Sequence, residues 1–135
     1  MPAIAGFGGA VSELDIKDSL VKITALRDEF VKELTAIDGV TINSPDDALP
    51  YIVNVSLAGL RSETVLNLLS GMGIYVSSGS ACSKGHKSHV LTAMGLDNNT
   101  IDSSLRVSLS RFTTKEELQY FIEGVKKALN TIMKR

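Results

Sequence analysis

Hydrophobic residues recur at helical spacing in three long parts of the chain. The first stripe advances by three or four residues, or seven across Arg27, and comprises Ile16, Leu20, Ile23, Phe30, Leu34 and Ile37. It predicts a long helix that ends at Gly39, because glycine adopts the left-handed cap conformation without a Cβ penalty. A second helix is predicted to begin with Ser62 as its cap, and a third opens on the capping-box pair Thr114 and Glu117.

Other segments are short and β-favouring, or alternate between apolar and polar residues, as strands with one buried face do. They are 40–42, 51–57, 74–76 and 105–109. Segment 51–57 places its apolar residues on one face and Asn54 and Ser56 on the other, and the turn at 43–47 favours antiparallel pairing. With a further short helix at 88–94, the order of elements predicts an α/β two-layer sandwich in a single domain, 1–135. Its small, mostly antiparallel sheet is covered by helices and can leave one face for a partner.

Composition narrows the classes of function. Hydrophobic residues make up 44% of the chain and charged residues 21%, as in an ordinary globular domain. The formal net charge of -1 favours neither nucleic acid nor an anionic membrane surface as a partner. No apolar run approaches the roughly 20 residues that span a bilayer, and no secretory signal opens the chain. The single cysteine excludes an intramolecular disulfide, so we expect a cytoplasmic, reducing environment.

Candidate chemistry concentrates in segment 77–87, which has two glycines and no large apolar side chain, a composition typical of a loop poorly tied to the core. It contains the single cysteine, Cys82. A lone cysteine is more often a small buried residue than a catalytic one. Here, however, nearby basic side chains would favour the thiolate: Lys84, His86, Lys87 and His89. The pattern therefore favours an accessible, reactive thiol.

Four sequence segments carry a family resemblance. They are AIAGFG at 3–8, SSGSACS at 77–83, SHVLTAMGL at 88–96 and SSLRVSLSRFTT at 103–114. In this order they resemble the C-terminal part of the cysteine desulfurases, pyridoxal-phosphate enzymes of the class V aminotransferase-like group. The serine-rich segment resembles the longer-loop branch, which is associated with iron–sulfur cluster assembly and transfer RNA thiolation. The resemblance implies the small C-terminal domain of a fold type I pyridoxal-phosphate enzyme.

The resemblance also implies roles for individual residues. Cys82 would be the nucleophile that takes sulfur from L-cysteine as a persulfide and leaves L-alanine. Arg106 would grip the substrate carboxylate, a task that suits the bidentate guanidinium. The active-site loop would comprise Ser78, Gly79, Ser80, Ala81 and Ser83. The sulfur would pass to an acceptor protein, either an iron–sulfur scaffold or a transfer RNA thiolation enzyme.

The family's cofactor lysine, its ring-stacking histidine and its aspartate facing the pyridine nitrogen belong to a large domain upstream of the residues present. Pyridoxal 5'-phosphate is therefore expected in the intact enzyme and not on this chain alone, which we expect to be inactive. Lys87, preceded by His86, resembles the setting of the cofactor lysine, but it follows the cysteine instead of preceding it. The cofactor domain or a homodimer partner is expected to cover part of the surface.

Two other classes of function remain open at this level. In one, Cys82, His86 and His89 bind zinc, although three ligands are too few for a closed structural site. In the other, the chain is a non-catalytic α/β module that binds a small ligand or a protein, with the glycine-rich segment cradling an anion. The glycine spacing differs from that of a phosphate-binding loop. Stoichiometric zinc would favour the first alternative, and a co-purified nucleotide would favour the second.

Overall fold

The protein is described by a computed structural model that covers residues 2–78 and 88–132. The helices in these ranges are α1 (Pro2–Ser12), α2 (Ile16–Thr35), α3 (Ser62–Gly71), α4 (His89–Ala93), α5 (Asn98–Asp102) and α6 (Lys115–Thr131). The strands are β1 (Val40–Ile42), β2 (Ile52–Leu57) and β3 (Ser104–Ser108). They form one sheet in the order β1-β2-β3, and both pairs are antiparallel. The predicted α/β architecture with an antiparallel sheet is confirmed.

The hydrophobic core lies between one face of the sheet and helices α2, α3 and α6. The apolar residues on the core face of β2 and β3 are at most 5% exposed: Val53, Val55, Leu57, Leu105 and Val107. They belong to one cluster with buried residues of the three helices. Phe30 of α2 and Phe121 of α6 meet edge to face with ring centroids 5.6 Å apart, an arrangement that favours their ring electrostatics. The alternation along 51–57 and 105–109 thus identified the buried face.

Local signals fix several helix ends. The Glu117 N–H donates to Thr114 Oγ1 at 3.3 Å, and the Thr114 N–H donates to Glu117 Oε2 at 3.0 Å, which completes the predicted capping box of α6. Gly39 has a φ of 85°, the left-handed conformation expected after α2. Gly95, after α4, has a φ of 80°. Gly39 thus ends the α2 region directly before β1, and Gly95 ends the α4 region.

The opposite face of the sheet is only partly covered, by α4 and α5. Leu91 and Ile101 are buried there, although they do not belong to the main core cluster. The Ser56 hydroxyl donates to the Thr100 carbonyl of α5 at 2.8 Å, and the Ser104 hydroxyl donates to the Ile101 carbonyl at 2.9 Å. Polar contacts therefore hold α5 on this face, and the rest of the face is available to a site.

Some predictions were wrong in detail. Segment 74–76 does not form a strand: pairing begins one residue later, as an isolated bridge between Ser77 and Arg106. Tyr75 in that segment is 83% exposed, so it has no sheet surface to pack on. Ser62 is not the cap of α3, because Arg61 occupies that position and makes no side-chain cap bond. Helix α5 was not predicted, since it is short and polar and buries only Ile101.

None of the helices in residues 2–78 and 88–132 combines the length and the apolar character that crossing a membrane requires.

Candidate active site

A cavity of about 290 Å³ lies on the partly covered face of the sheet. Its polar wall is formed by strand and turn residues: Asn43, Ser44, Asn54, Ser104 and Arg106. Its apolar wall combines β2 with the first turns of α4: Ile52, Val90, Leu91 and Met94. Two apolar side chains, Ile52 and Val90, are 48% and 55% exposed, so the cavity is open at one side. A small polar molecule with an apolar part can enter it.

Arg106 lies at the centre of the polar wall. Its strand neighbours Leu105 and Val107 are buried in the core, so alternation turns Arg106 to the other face, where it is half-buried and lines the cavity. Within the described lining it is the only residue with a fixed positive charge, and no carboxylate accompanies it. The cavity therefore suits an anionic group.

The segment that carries Cys82 begins and ends at this cavity. The Arg106 N–H donates to the Ser77 carbonyl at 2.5 Å, and the Ser77 N–H donates back at 3.2 Å, so the chain is attached to the strand of Arg106 just before the segment. Ser78 and Ser88 both line the cavity. Of the predicted loop residues Ser78 alone is described; Gly79, Ser80, Ala81, Cys82 and Ser83 lie outside the described residues.

Helix α4 fixes the far end of this segment. Ser88 is its cap, and the Ser88 hydroxyl accepts from the Leu91 N–H at 3.4 Å. His89, the first residue of the helix, lines the cavity and is exposed. A short helix with a polar cap thus places an imidazole at the mouth of the cavity.

A chain of polar contacts supports the wall beside Arg106. Asn43 Nδ2 donates both to Asn54 Oδ1 and to Ser56 Oγ, each at 2.7 Å, and Ser56 Oγ donates to the Thr100 carbonyl at 2.8 Å. Sequence reasoning placed Asn54 and Ser56 on the polar face and Asn43 in a turn, but it assigned none of them to a site. The signal in the sequence that could have indicated a site was the presence of two polar residues at alternate positions of a buried strand.

Asp97 supports the same network from a distance. The pKa of its carboxyl lies below the usual 3.8 because the Thr100 hydroxyl and the Thr100 N–H donate to it, with the Asn99 N–H adding a smaller contribution. These bonds cap α5 and hold the Thr100 carbonyl toward Ser56. The acidic group thus acts on the wall through the helix and not through the cavity.

A family model described as aminotransferase class V matches residues 2–121. The chain belongs to this family. Similar proteins include the cysteine desulfurase IscS of Vibrio vulnificus strain CMCP6, 36% identical over 134 residues, covering 96% of this chain and 33% of the relative. The mitochondrial cysteine desulfurase of Saccharomyces cerevisiae is 37% identical over 129 residues, covering 92% of this chain and 26% of the relative. The chain therefore spans about a third or less of the length of these class V relatives.

Solved structures agree with the family assignment. A NifS-like protein from Rickettsia africae superposes with a TM-score of 0.73 at 29% identity, covering 87% of this chain and 31% of that one. Another NifS-like protein gives a TM-score of 0.69 at 35% identity, with 82% of this chain and 28% of that one covered. The architecture of this chain therefore corresponds to about a third of each of these NifS-like proteins.

The described lining does not fit pyridoxal phosphate by itself. It contains no lysine to bind the aldehyde and no carboxylate to face the pyridine nitrogen. The expectation that this chain alone does not hold the cofactor, and that Lys87 does not bind it, stays a prediction. In the described part of the chain, no group of three or more His, Cys, Asp or Glu side chains is placed to hold a metal ion. Cys82 and His86 of the zinc alternative lie outside that part.

Proposed function

We propose that this chain is the C-terminal, sulfur-accepting part of a cysteine desulfurase. The observation that carries the proposal is the meeting of three features at one cavity: Arg106 and both described ends of the segment that contains Cys82. The names of the relatives support the same reaction. Ser78 precedes Cys82 by four residues, which supports a common site for the predicted nucleophile and the predicted carboxylate-binding residue.

In this function Arg106 binds the carboxylate of L-cysteine, and the Cys82 thiolate attacks the substrate sulfur. The substrate carbon–sulfur bond breaks, its electron pair stays with carbon, and a proton on that carbon completes L-alanine. The sulfur remains on Cys82 as a persulfide, so the reaction is balanced without an external oxidant. Pyridoxal 5'-phosphate, held by a part of the enzyme outside this chain, supplies the electron sink.

The exposed apolar surface around α1 supports a further domain as a partner. Helix α1 has no buried residue, and the N-terminal end of α2 is equally uncovered. The exposed side chains in this region are Ile4, Phe7, Val11, Leu14, Ile16, Leu20 and Val21. Apolar patches of this kind are sites of association. We assign this surface to the cofactor-binding large domain or to a homodimer partner; without either, the chain should self-associate.

The outer sulfur of the persulfide would then pass to an acceptor protein. The serine-rich segment 77–83 supports an iron–sulfur scaffold or a transfer RNA thiolation enzyme in this role. A thiolate of the acceptor attacks the outer sulfur of the persulfide, so that a sulfur–sulfur bond forms on the acceptor while the sulfur–sulfur bond at Cys82 breaks and releases the Cys82 thiolate for the next turnover.

The test combines this chain with a cofactor-loaded large domain of a class V relative and adds L-cysteine. Intact mass spectrometry should find one additional sulfur atom on Cys82, removable by dithiothreitol, with one L-alanine released per sulfur. The Cys82→Ser variant should acquire no sulfur. Each component alone should release L-alanine no faster than free cofactor does. Sulfur that adds to the Cys82→Ser variant, or alanine without any persulfide, would contradict the proposal.

A further inference from the structure

The orientation of the Asn54 amide follows from the chain of contacts that ends on it. The Thr100 carbonyl can only accept, so the Ser56 hydroxyl donates its single proton to it. Ser56 Oγ can therefore only accept a hydrogen bond from Asn43. Asn43 therefore presents its NH₂ group, whose second hydrogen reaches Asn54 at 2.7 Å. The contacted atom of Asn54 must then be its oxygen. The hydrogen-bond network thus fixes both amide orientations.

Three of the four hydrogen-bonding groups of Asn54 are engaged. Its backbone N–H donates to Ser44 Oγ at 2.8 Å, its backbone carbonyl accepts from the Asn43 N–H, and its side-chain oxygen is engaged by Asn43. In the part of the chain that the structure describes, its Nδ2 has no hydrogen-bond partner. Asn54 lines the cavity, so this NH₂ group is available to a ligand there.

Asn54 and Arg106 stand directly opposite each other on β2 and β3. The backbone N–H and carbonyl of Arg106 are both directed to Ser77, on the side away from β2, and those of Asn54 are directed to Asn43 and Ser44, on the side away from β3. The two residues therefore form a non-hydrogen-bonded pair. In such pairs the Cα atoms are about 4.5 Å apart and the side chains approach most closely.

Among the described residues, this pair offers two donors to the cavity, the Arg106 guanidinium and the Asn54 NH₂ group. A carboxylate has two acceptor oxygens in one plane and a single charge, which matches one guanidinium and one neutral donor. We propose that Asn54 is a second carboxylate-binding residue, which shares the substrate carboxylate with Arg106. Asn43 is the positioning residue that keeps the Asn54 NH₂ group turned toward it. The inference rests on the proposed function for the identity of the substrate, L-cysteine.

The experiment follows ¹⁵N-labelled full chain by NMR during titration with L-alanine, which has the carboxylate and the carbon skeleton of the substrate. The side-chain NH₂ signals of Asn54 and the Arg106 Nε–H signal should shift together and saturate at one dissociation constant. L-Alaninamide, which lacks the carboxylate, should shift neither signal. Inorganic phosphate tests the competing anion, and tighter binding of phosphate than of L-alanine would overturn the carboxylate assignment.

Variants separate the contribution of Asn54 from that of the cavity as a whole. Asn54→Leu should weaken L-alanine about tenfold, the usual worth of one hydrogen bond to a charged group. Asn67→Leu makes the same change at an exposed position of α3 and should leave the affinity unaltered. Asn43→Leu should also weaken binding and broaden the Asn54 NH₂ signals, but it should add nothing to Asn54→Leu.

The outcomes distinguish this inference from the proposed function. If Arg106→Gln abolishes binding but Asn54→Leu does not weaken it, Asn54 is not a carboxylate-binding residue, and the sulfur-accepting function stands. If the unmodified chain shifts its Arg106 signal but not its Asn54 NH₂ signals, the same conclusion holds even should Asn54→Leu fail to fold. Failure of the function itself would appear separately, as absence of a persulfide on Cys82.

Discussion

The two faces of strands β2 and β3 are built from neighbouring residues of the same backbone, yet they are held by different forces. On one face Val55 and Leu105 are register partners with no exposed surface at all. On the other face the adjacent pair, Asn54 and Arg106, is half-buried and lines a cavity. Alternation along the strands separates a packing surface from a binding surface by a single residue.

Polar residues of this sheet can be as deeply buried as its apolar ones. Ser56 and Ser104 lie on the polar face and are only 4% and 2% exposed, because α5 covers them. That end of the polar face is stabilised by directional hydrogen bonds, whereas the core face is stabilised by apolar area removed from water. Removal of a single hydrogen-bonding atom should therefore destabilise the polar face, whereas removal of side-chain volume should destabilise the core face.

The largest effect is expected on the core face. Leu105→Ala leaves a cavity among fully buried neighbours and should lower the free energy of unfolding by roughly 2–5 kcal/mol. Arg106→Gln, one residue along the same strand, should change it by no more than about 0.5 kcal/mol, because no described partner loses a contact. Urea unfolding of both variants measures the contrast. Equal losses of unfolding free energy at the two positions would show that the two faces do not differ in their contribution to stability.

A smaller loss is expected where the polar face is covered. Ser56→Ala removes the hydroxyl that joins Asn43 to the Thr100 carbonyl, and it should cost about 1–3 kcal/mol because buried polar groups lose their partners. Ser108→Ala is the matched control, since Ser108 lies on the same face but is exposed. Unfolding free energies that agree for the two variants would mean that the network adds nothing to stability.

The sequence predicted the elements whose signals are local and strong. The capping box at Thr114 and Glu117 and the alternation in 51–57 identified α6 and the buried face of β2, because both patterns depend on neighbours in the chain. Segment 74–76 was wrongly predicted as a strand because its β-favouring residues have no adjacent strand until Ser77. Pairing is a tertiary property that composition does not encode.

The candidate site was predicted only in part, for the same reason. The strand pattern turned Arg106 away from the core, and the family resemblance suggested its role. The contribution of Asn54 depends on its register partner and on contacts from a turn and a short helix that lie far apart in sequence. No spacing rule relates Asn43, Asn54 and Thr100, so only the fold could bring them together.

Acidification should loosen the covered end of the polar face selectively. The folded pKa of Asp97 is depressed below 3.8, chiefly by the Thr100 hydroxyl, so its stabilising contribution is complete above that value and is lost as the pH falls through the folded pKa. The expected result is a decline in stability of the native chain below pH 3.8 that is shallower in Asp97→Asn, which keeps an oxygen acceptor but does not titrate. Unfolding measured between neutral and strongly acidic pH tests this. If stability declined equally steeply with falling pH in the two proteins, Asp97 would not contribute to the network.

The smallest effect on stability is expected at Cys82, where the chemical effect should be largest. Cys82→Ser should change the free energy of unfolding by no more than about 0.5 kcal/mol, as a substitution outside the core does. It should abolish labelling by iodoacetamide, because the chain has one cysteine.

The pH dependence of that labelling tests the environment of the thiol. Nearby basic residues should bring half-maximal reactivity below the pKa of about 8.5 that a free cysteine has, since only the thiolate reacts. Lys84→Gln should slow labelling at neutral pH by removing one of these charges, whereas Lys17→Gln, in α2, should not. If Cys82 were labelled only after denaturation, or if its replacement by serine destabilised the fold as strongly as Ser56→Ala, the thiol would belong to the packed structure. The cavity with Asn54 and Arg106 would then be a carboxylate site without a nucleophile.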